Sequence, residues 1–237
     1  MLLPAYGQTA DTVSPDRPSF STSTHITAAH HVQLEGGASR ARFGDTTSYD
    51  VGELLVRVGI TERFELRAGV PSYISSQIPS SHASGADDSL AEGKILLKSG
   101  SRLALGALVS AILPTGSHAV AEHTFQPSGT LITDINVSKS VSVTANARFG
   151  RSTTNGIRFN DVSGVTTLNF ALPSNTSLFT EILAFNQLDD RTQKYVKSGI
   201  SKMIGRRFEI DASGGQGLHN GAHGPDRFYG AGISHLF

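Results

Sequence analysis

The residues best placed to do chemistry in this 237-residue chain are charges set into an oily stretch. In GELLVRVGITERFELRAGVPSY, residues 52–73, Glu53, Arg57, Glu65 and Arg67 alternate with Leu54, Val56, Val58, Ile60, Phe64, Leu66, Ala68 and Val70. A period of two is the repeat of a β-strand, so one face is apolar and the other charged. The same alternation adds Glu92, Lys94, Asp134, Asn136, Arg148, Glu209 and Asp211 to the polar face. Acids and bases mixed in this way can neutralise one another in a confined space, or form the lining that selects a solute.

Other chemistry is less well supported. His82, His118, His123, His219 and His223 fall among Gly, Asn, Ser and Pro, so the last two do not share a helix face that would aim both rings at one ion. They read as solvated loop histidines, with no metal site expected, and His30 and His31 as ordinary residues beside the first strand. A lipid-acting enzyme would need a serine, a base and an orienting group; no such order is visible, and an enzyme is not expected. No glycine cluster follows a strand and starts a helix, so no phosphate or dinucleotide cofactor is expected. Cysteine is absent, which removes disulfides and thiolate chemistry and leaves the compartment open. Basic and acidic residues number 20 each, so no net field gathers nucleic acid.

The elements that must carry these charges are strands. Twelve alternating runs, from 30–43 and 46–58 to 208–214 and 227–237, are separated by breakers at 60–63, 100–102, 138–140, 173–175 and 205–207. Longer polar segments lie at 75–89, 114–125, 151–156, 187–193 and 215–226. No capped helical period interrupts them, so the fold class is all-β, either a sandwich or a closed barrel. Alternation alone does not choose. The longest nearly apolar run, 103–113, is too short for the roughly 18 residues of a membrane helix and long enough for a membrane strand. Runs of about ten residues with short turns at one end and long loops at the other are traits of an outer-membrane barrel. Aromatic residues fall near both ends: Phe64, Phe170, Phe208 and Phe237 by the turns, and Phe43, Tyr49, Tyr73, Phe125, Phe149, Phe159, Phe185 and Tyr195 by the loops.

The segments DRPSF (16–20), HVQLEGG (31–37) and residues 52–73 resemble, in order, the N-terminal half of the outer-membrane transporter family linked to the phenol meta-cleavage pathway. The resemblance implies a closed antiparallel transmembrane barrel of about twelve strands in the bacterial outer membrane, with short periplasmic turns. It implies a passive channel for small aromatic or hydrophobic compounds. Two alternatives stand beside it, a closed structural or surface-interaction barrel and a lipid-acting enzyme.

On this reading residues 1–10 are a remnant signal peptide or a loose tail, 11–29 an N-terminal periplasmic segment and 30–237 the barrel. The eleven polar-face residues become lumen-lining, because a charge facing lipid costs roughly 2–4 kcal/mol near the midplane. Expected partners are outer-membrane lipid, a small-molecule solute and, through the terminal Phe237, the outer-membrane assembly machinery. Electrostatics predicts Arg57 opposite Glu65 rather than Arg67, since like charges directly opposite destabilise a strand pair. A lumen so lined predicts a narrow, weakly ion-selective pore.

Overall fold

The computed structural model describes residues 12–237 apart from 80, 155, 188–191 and 219–223. Its strands are β1 (Val32–Phe43), β2 (Thr46–Thr61), β3 (Phe64–Val70), β4 (Tyr73–Ile78), β5 (Ser81–Ala86), β6 (Ser89–Lys98) and β7 (Leu103–Leu113). They continue as β8 (Gln126–Asn136), β9 (Val141–Thr154), β10 (Ile157–Leu172), β11 (Thr176–Gln187), β12 (Gln193–Ile204), β13 (Phe208–Gly217) and β14 (Arg227–Leu236). Neighbours pair antiparallel throughout. β1 pairs with both β2 and β14, so the sheet closes on itself.

The fourteen segments build twelve staves. β3 and β4 run along the same partner, β2, on either side of a break at Pro71 and Ser72, where proline has no N–H to give the ladder. Gly52, at φ +82°, marks the point where β2 passes from one to the other. β5 and β6 continue one another in the same way. The expected polar loop at 75–89 is therefore mostly a hairpin, β4–β5. Its Ser, Gly and Ala content hides a strand from a reading that looks for oily alternation, because the hairpin extends the wall beyond the apolar band. The expected loop at 151–156 is likewise mostly strand, with β9 running to Thr154.

The alternation sets the faces. Ile60, Leu66, Val70, Val109, Leu131 and Ile182 are exposed on the outside, where lipid replaces a protein core. Tyr49, Tyr73, Phe125 and Phe149 are exposed toward the loop end. Tyr195, expected among these outer aromatics, is buried inside instead, its ring 6.1 Å from that of Phe228. The C-terminal Phe237 and Val13 of the N-terminal segment both lie at the short-turn end: Phe237 N–H donates to Val32 O, and Val13 N–H to Arg206 O in the β12–β13 turn.

Residues 12–29 do not form a periplasmic segment. They enter the barrel beside Arg206, reach Phe20, whose ring lies 5.5 Å from Phe228, and return to His30, which donates to Gly59 O. Ser21, Thr24 and Thr27 along this path are all buried inside the wall. The signal-peptide remnant expected at 1–10 lies outside the described residues.

A charge on the lipid face should be costly. Leu131→Arg is expected to lower the free energy of unfolding in lipid vesicles by about 2–4 kcal/mol, while Ser140→Arg in the exposed β8–β9 turn should be nearly neutral. Denaturant titration of the refolded variants measures both.

Candidate functional site

Period-two strands in a closed wall send every second side chain inward, and at Arg57, Glu65 and Lys94 those side chains are fully buried. The register across the β2–β3 turn places Arg57 opposite Arg67, with Gly59 opposite Glu65. This corrects the expected Arg57–Glu65 pairing. An irregularity between Gly59 and Thr61 leaves Ile60 unpaired and shifts the strands, and Arg57 reaches Glu65 diagonally instead, Nη2 to Oε1 at 3.1 Å.

The opposed arginines are tolerated because the N-terminal segment brings in an acid. Asp16 Oδ2 lies 3.1 Å from Arg67 Nη1, 3.5 Å from Lys94 Nζ and 3.8 Å from Arg57 Nη1. These are charge contacts without hydrogen-bond alignment. Around them Glu35 holds Arg57 at 2.7 Å, Glu92 holds Arg67 at 3.0 Å and Glu65 holds Lys94 at 3.4 Å. Arg57 also donates to the carbonyls of Ser14 and His25, so one side chain ties both limbs of the segment to the wall.

Elsewhere the wall's acids accept backbone N–H groups of the same segment. Glu35 takes those of Asp16 and Arg17, Glu181 that of Phe20, Asp134 that of Thr24 and Glu65 that of Thr27. Asn146 pairs with Thr22 in both directions, 2.7 and 2.9 Å. An extended segment without a sheet partner has its backbone donors met by side chains of the wall. Arg17 meets Glu53 at 2.6 Å and Asp211 at 3.4 Å, and its guanidinium lies against bare backbone: a Cβ on Gly37 would collide with Nη2. Gly59 is bare for the same reason, since a Cβ there would collide with Ala28 O.

Arg57, Glu65, Arg67, Glu92 and Lys94 thus gather around Asp16, while Glu53 and Asp211 share Arg17. Asp134 holds Thr24 and Thr144. Arg148 pairs with Asp161 across β9 and β10, apart from the Asp16 cluster. Asn136 donates to Ser101 O near the β6–β7 turn, and Glu209 borders the inner cavity. The sequence reading missed Asp16, Arg17, Glu35, Asp161, Glu181 and Lys197. Glu181 and Lys197 are flanked on the inward face by Phe179 and Tyr195, so both faces of their strands look apolar. Asp16 and Arg17 sit in a stretch with no period at all. The Ser and Thr hydroxyls around them were the available signal of a segment bound by acids.

Two cavities flank the segment. The outer one, about 300 Å³, is bordered by Phe20, Leu90, Leu108, Val165, Glu92 and Arg148 among others. The inner one, about 690 Å³, lies between residues 12–25 and the short-turn ends of β8 to β13. Phe20 and Thr22 border the first and Ser21 and Ser23 the second, so the segment is the partition. Of the histidines, His118 and His123 stack at 3.7 Å in the loop 114–125, His82 bonds Ser75, and His219 and His223 lie outside the described residues. Among the described residues no group of three or more His, Cys, Asp or Glu could hold a metal.

Removing a buried partner should expose the dependence on this cluster. Arg57→Leu leaves Glu35, Glu65 and Asp16 short of a cation and is expected to cost about 3–5 kcal/mol, the usual loss when one member of a buried ion pair is removed. Arg63→Leu in the exposed β2–β3 turn should be nearly neutral. Heat resistance of the two variants in detergent checks the difference.

A family model described as "Putative MetA-pathway of phenol degradation" matches residues 15–237. No curated protein matches the chain. In fold it is similar to an outer membrane channel from Pseudomonas putida F1, at 14% identity, TM-score 0.68, covering 95% of this chain and 100% of that one. It is similar too to the KdgM porin, at 12% identity, TM-score 0.61, with 86% and 99% covered, and to the NanC porin, at 11%, TM-score 0.58, with 86% and 98% covered. These likenesses bear on the fold, a barrel of the bacterial outer membrane. With the model matched from Pro15 to the final Phe237, the chain belongs to the family of that description.

Proposed function

We propose that the protein is a passive outer-membrane channel whose conducting path runs along the β8–β11 side of the lumen and is interrupted by its own N-terminal segment. The observation that carries this reading is the pair of cavities divided by residues 20–24. On the β1–β3 side the Asp16 cluster fills the lumen with paired charge. On the β8–β11 side the partition is held by hydrogen bonds without a buried ion-pair cluster: Thr22 to Asn146, Ser21 to Thr167, Thr24 to the Asp134 carboxylate, and Ser19 and Phe20 to the Glu181 carboxylate. Neutral hydrogen bonds contribute about 0.5–1.5 kcal/mol each and those to a carboxylate about 1.5–3, so this limb is less costly to displace than the side anchored by the buried ion pairs of the Asp16 cluster.

The solute we infer is a small aromatic or hydrophobic molecule. The outer cavity supports it, with Phe20, Leu90, Leu108, Ile112, Val165 and Leu183 on its border and only a few charged groups. The mixed charge of the lumen supports weak selection between cations and anions. A second reading, a closed structural barrel, is favoured by the lumen-filling of the Asp16 cluster.

Single-channel recording in planar bilayers separates the two. Small currents with little ion preference are expected, falling when Thr22→Cys and Asn146→Cys are joined by a disulfide and recovering on reduction. No current from the reduced or the parent protein under any voltage would favour the closed barrel.

A further inference from the structure

The outward face at the loop end carries a concentration of guanidinium groups that neither the lumen nor the channel reading uses. Arg40 and Arg42 lie on β1 and Arg227 on β14, and all three are exposed. Their faces follow from the alternation: Gln33, Glu35 and Ser39 of β1 contact luminal groups, so residues 40 and 42 point the other way. Arg42 stands directly opposite Arg227, and Arg40 opposite Tyr229 on one side and Tyr49 on the other. The Arg40 guanidinium sits 5.8 Å from the Tyr49 ring centre. Both tyrosines are exposed. Nearer the short turns the same face becomes apolar, with Val51 and Ile233 exposed beside Ala38 and Ala231.

Like charges directly opposite one another on neighbouring strands are destabilising unless something between them is negative. Inside the barrel Asp16 does this for Arg57 and Arg67. Outside, among the described residues, none of Arg40, Arg42 and Arg227 has an ion pair. Arg42 Nε donates to Gly44 O, and the nearby Asp226 carboxylate accepts from Gly44 N–H rather than from an arginine. The patch lies where the apolar band gives way to the aqueous loops, which is the depth of lipid headgroups in the outer leaflet. Guanidinium forks match phosphate oxygens two at a time, and tyrosines at that depth present hydroxyls to the same headgroups.

We infer that the face formed by Arg40, Arg42 and Arg227, flanked by Tyr49 and Tyr229, binds the phosphate groups of a phosphorylated glycolipid of the outer leaflet, whose acyl chains lie along Val51 and Ile233. The occupant is a lipid and not free phosphate, because the basic patch and the apolar strip are continuous on one face. A phosphate between Arg42 and Arg227 supplies the negative charge that the wall does not.

The test uses the full-length protein in detergent with two probes, bisphosphorylated lipid A and the same lipid stripped of its phosphates, read by native mass spectrometry. The phosphorylated form should bind at least tenfold more tightly. The Arg40→Ser, Arg42→Ser and Arg227→Ser triple variant should lose that preference, while Arg151→Ser, at an exposed site on the distant β9, should stay within twofold of the parent. Inorganic phosphate at the concentration of the lipid should not compete. Equal binding of the two lipids to the parent protein, an unchanged preference in a triple variant that keeps the barrel's heat resistance, or competition by inorganic phosphate would overturn the proposal. The comparison of lipids on the parent protein decides the matter even where the triple variant fails to fold.

Discussion

A closed barrel in lipid has one outlet for its polar side chains, and that outlet is the lumen. Placing charges there removes the penalty of facing hydrocarbon and creates another, because a twelve-stave barrel is narrow enough to bury Arg57, Glu65 and Lys94 completely. Strand register then brings Arg57 and Arg67 face to face. The single carboxylate of Asp16, delivered from outside the wall, stands within 4 Å of both arginines and of Lys94. The contact anchors the N-terminal segment on the β1–β3 side, and the two cavities lie elsewhere in the lumen.

Once Asp16 is anchored, the remaining contacts follow a common logic. The segment has no strand partner, so its N–H groups must find acceptors, and the wall offers carboxylates from different strands, Glu35 on β1, Glu65 on β3, Asp134 on β8 and Glu181 on β11. Bare backbone at Gly37 and Gly59 lets the segment lie close enough to reach them. Charges that resemble a solute filter when counted on the strands are thus largely occupied by the protein's own chain. Ion pairs hold the segment at Asp16 and Arg17, whereas toward β8 to β11 it is held by hydrogen bonds to Asp134, Asn146, Thr167 and Glu181.

The fold was legible because lipid enforces the alternation. Any inward slip of Leu54, Val56 or Leu66 would carry Glu53, Arg57 or Glu65 into hydrocarbon, so the pattern is strict where the wall is thinnest in polar content. The hairpin at β4–β5 escaped because beyond the apolar band nothing demands oily outward residues. The inward direction of Arg57, Glu65 and Lys94 could be read from the same period. Their partners could not, since register depends on an irregularity at Ile60 that alternation does not encode, and Asp16 belongs to a segment whose only local signals are two prolines beside a charge pair and a run of hydroxyls. Such a segment takes its shape from the wall, so its own sequence carries little of it.

The same physics links the two faces of the seam between β14, β1 and β2. On its inner side Arg17 crosses the bare backbone of Gly37 and Gly232 to reach Glu53 and Asp211. On its outer side, a few residues along, Arg42 and Arg227 oppose one another without an acid between them. The inner pair of acids is neutralised by a residue of the chain itself, Arg17. The outer arginines face a compartment rich in mobile lipid, so the missing charge there can be met by a partner that comes and goes. A seam braced from within by Arg17 keeps its register whether or not the outer site is filled, which leaves the lipid free to exchange without loosening the barrel.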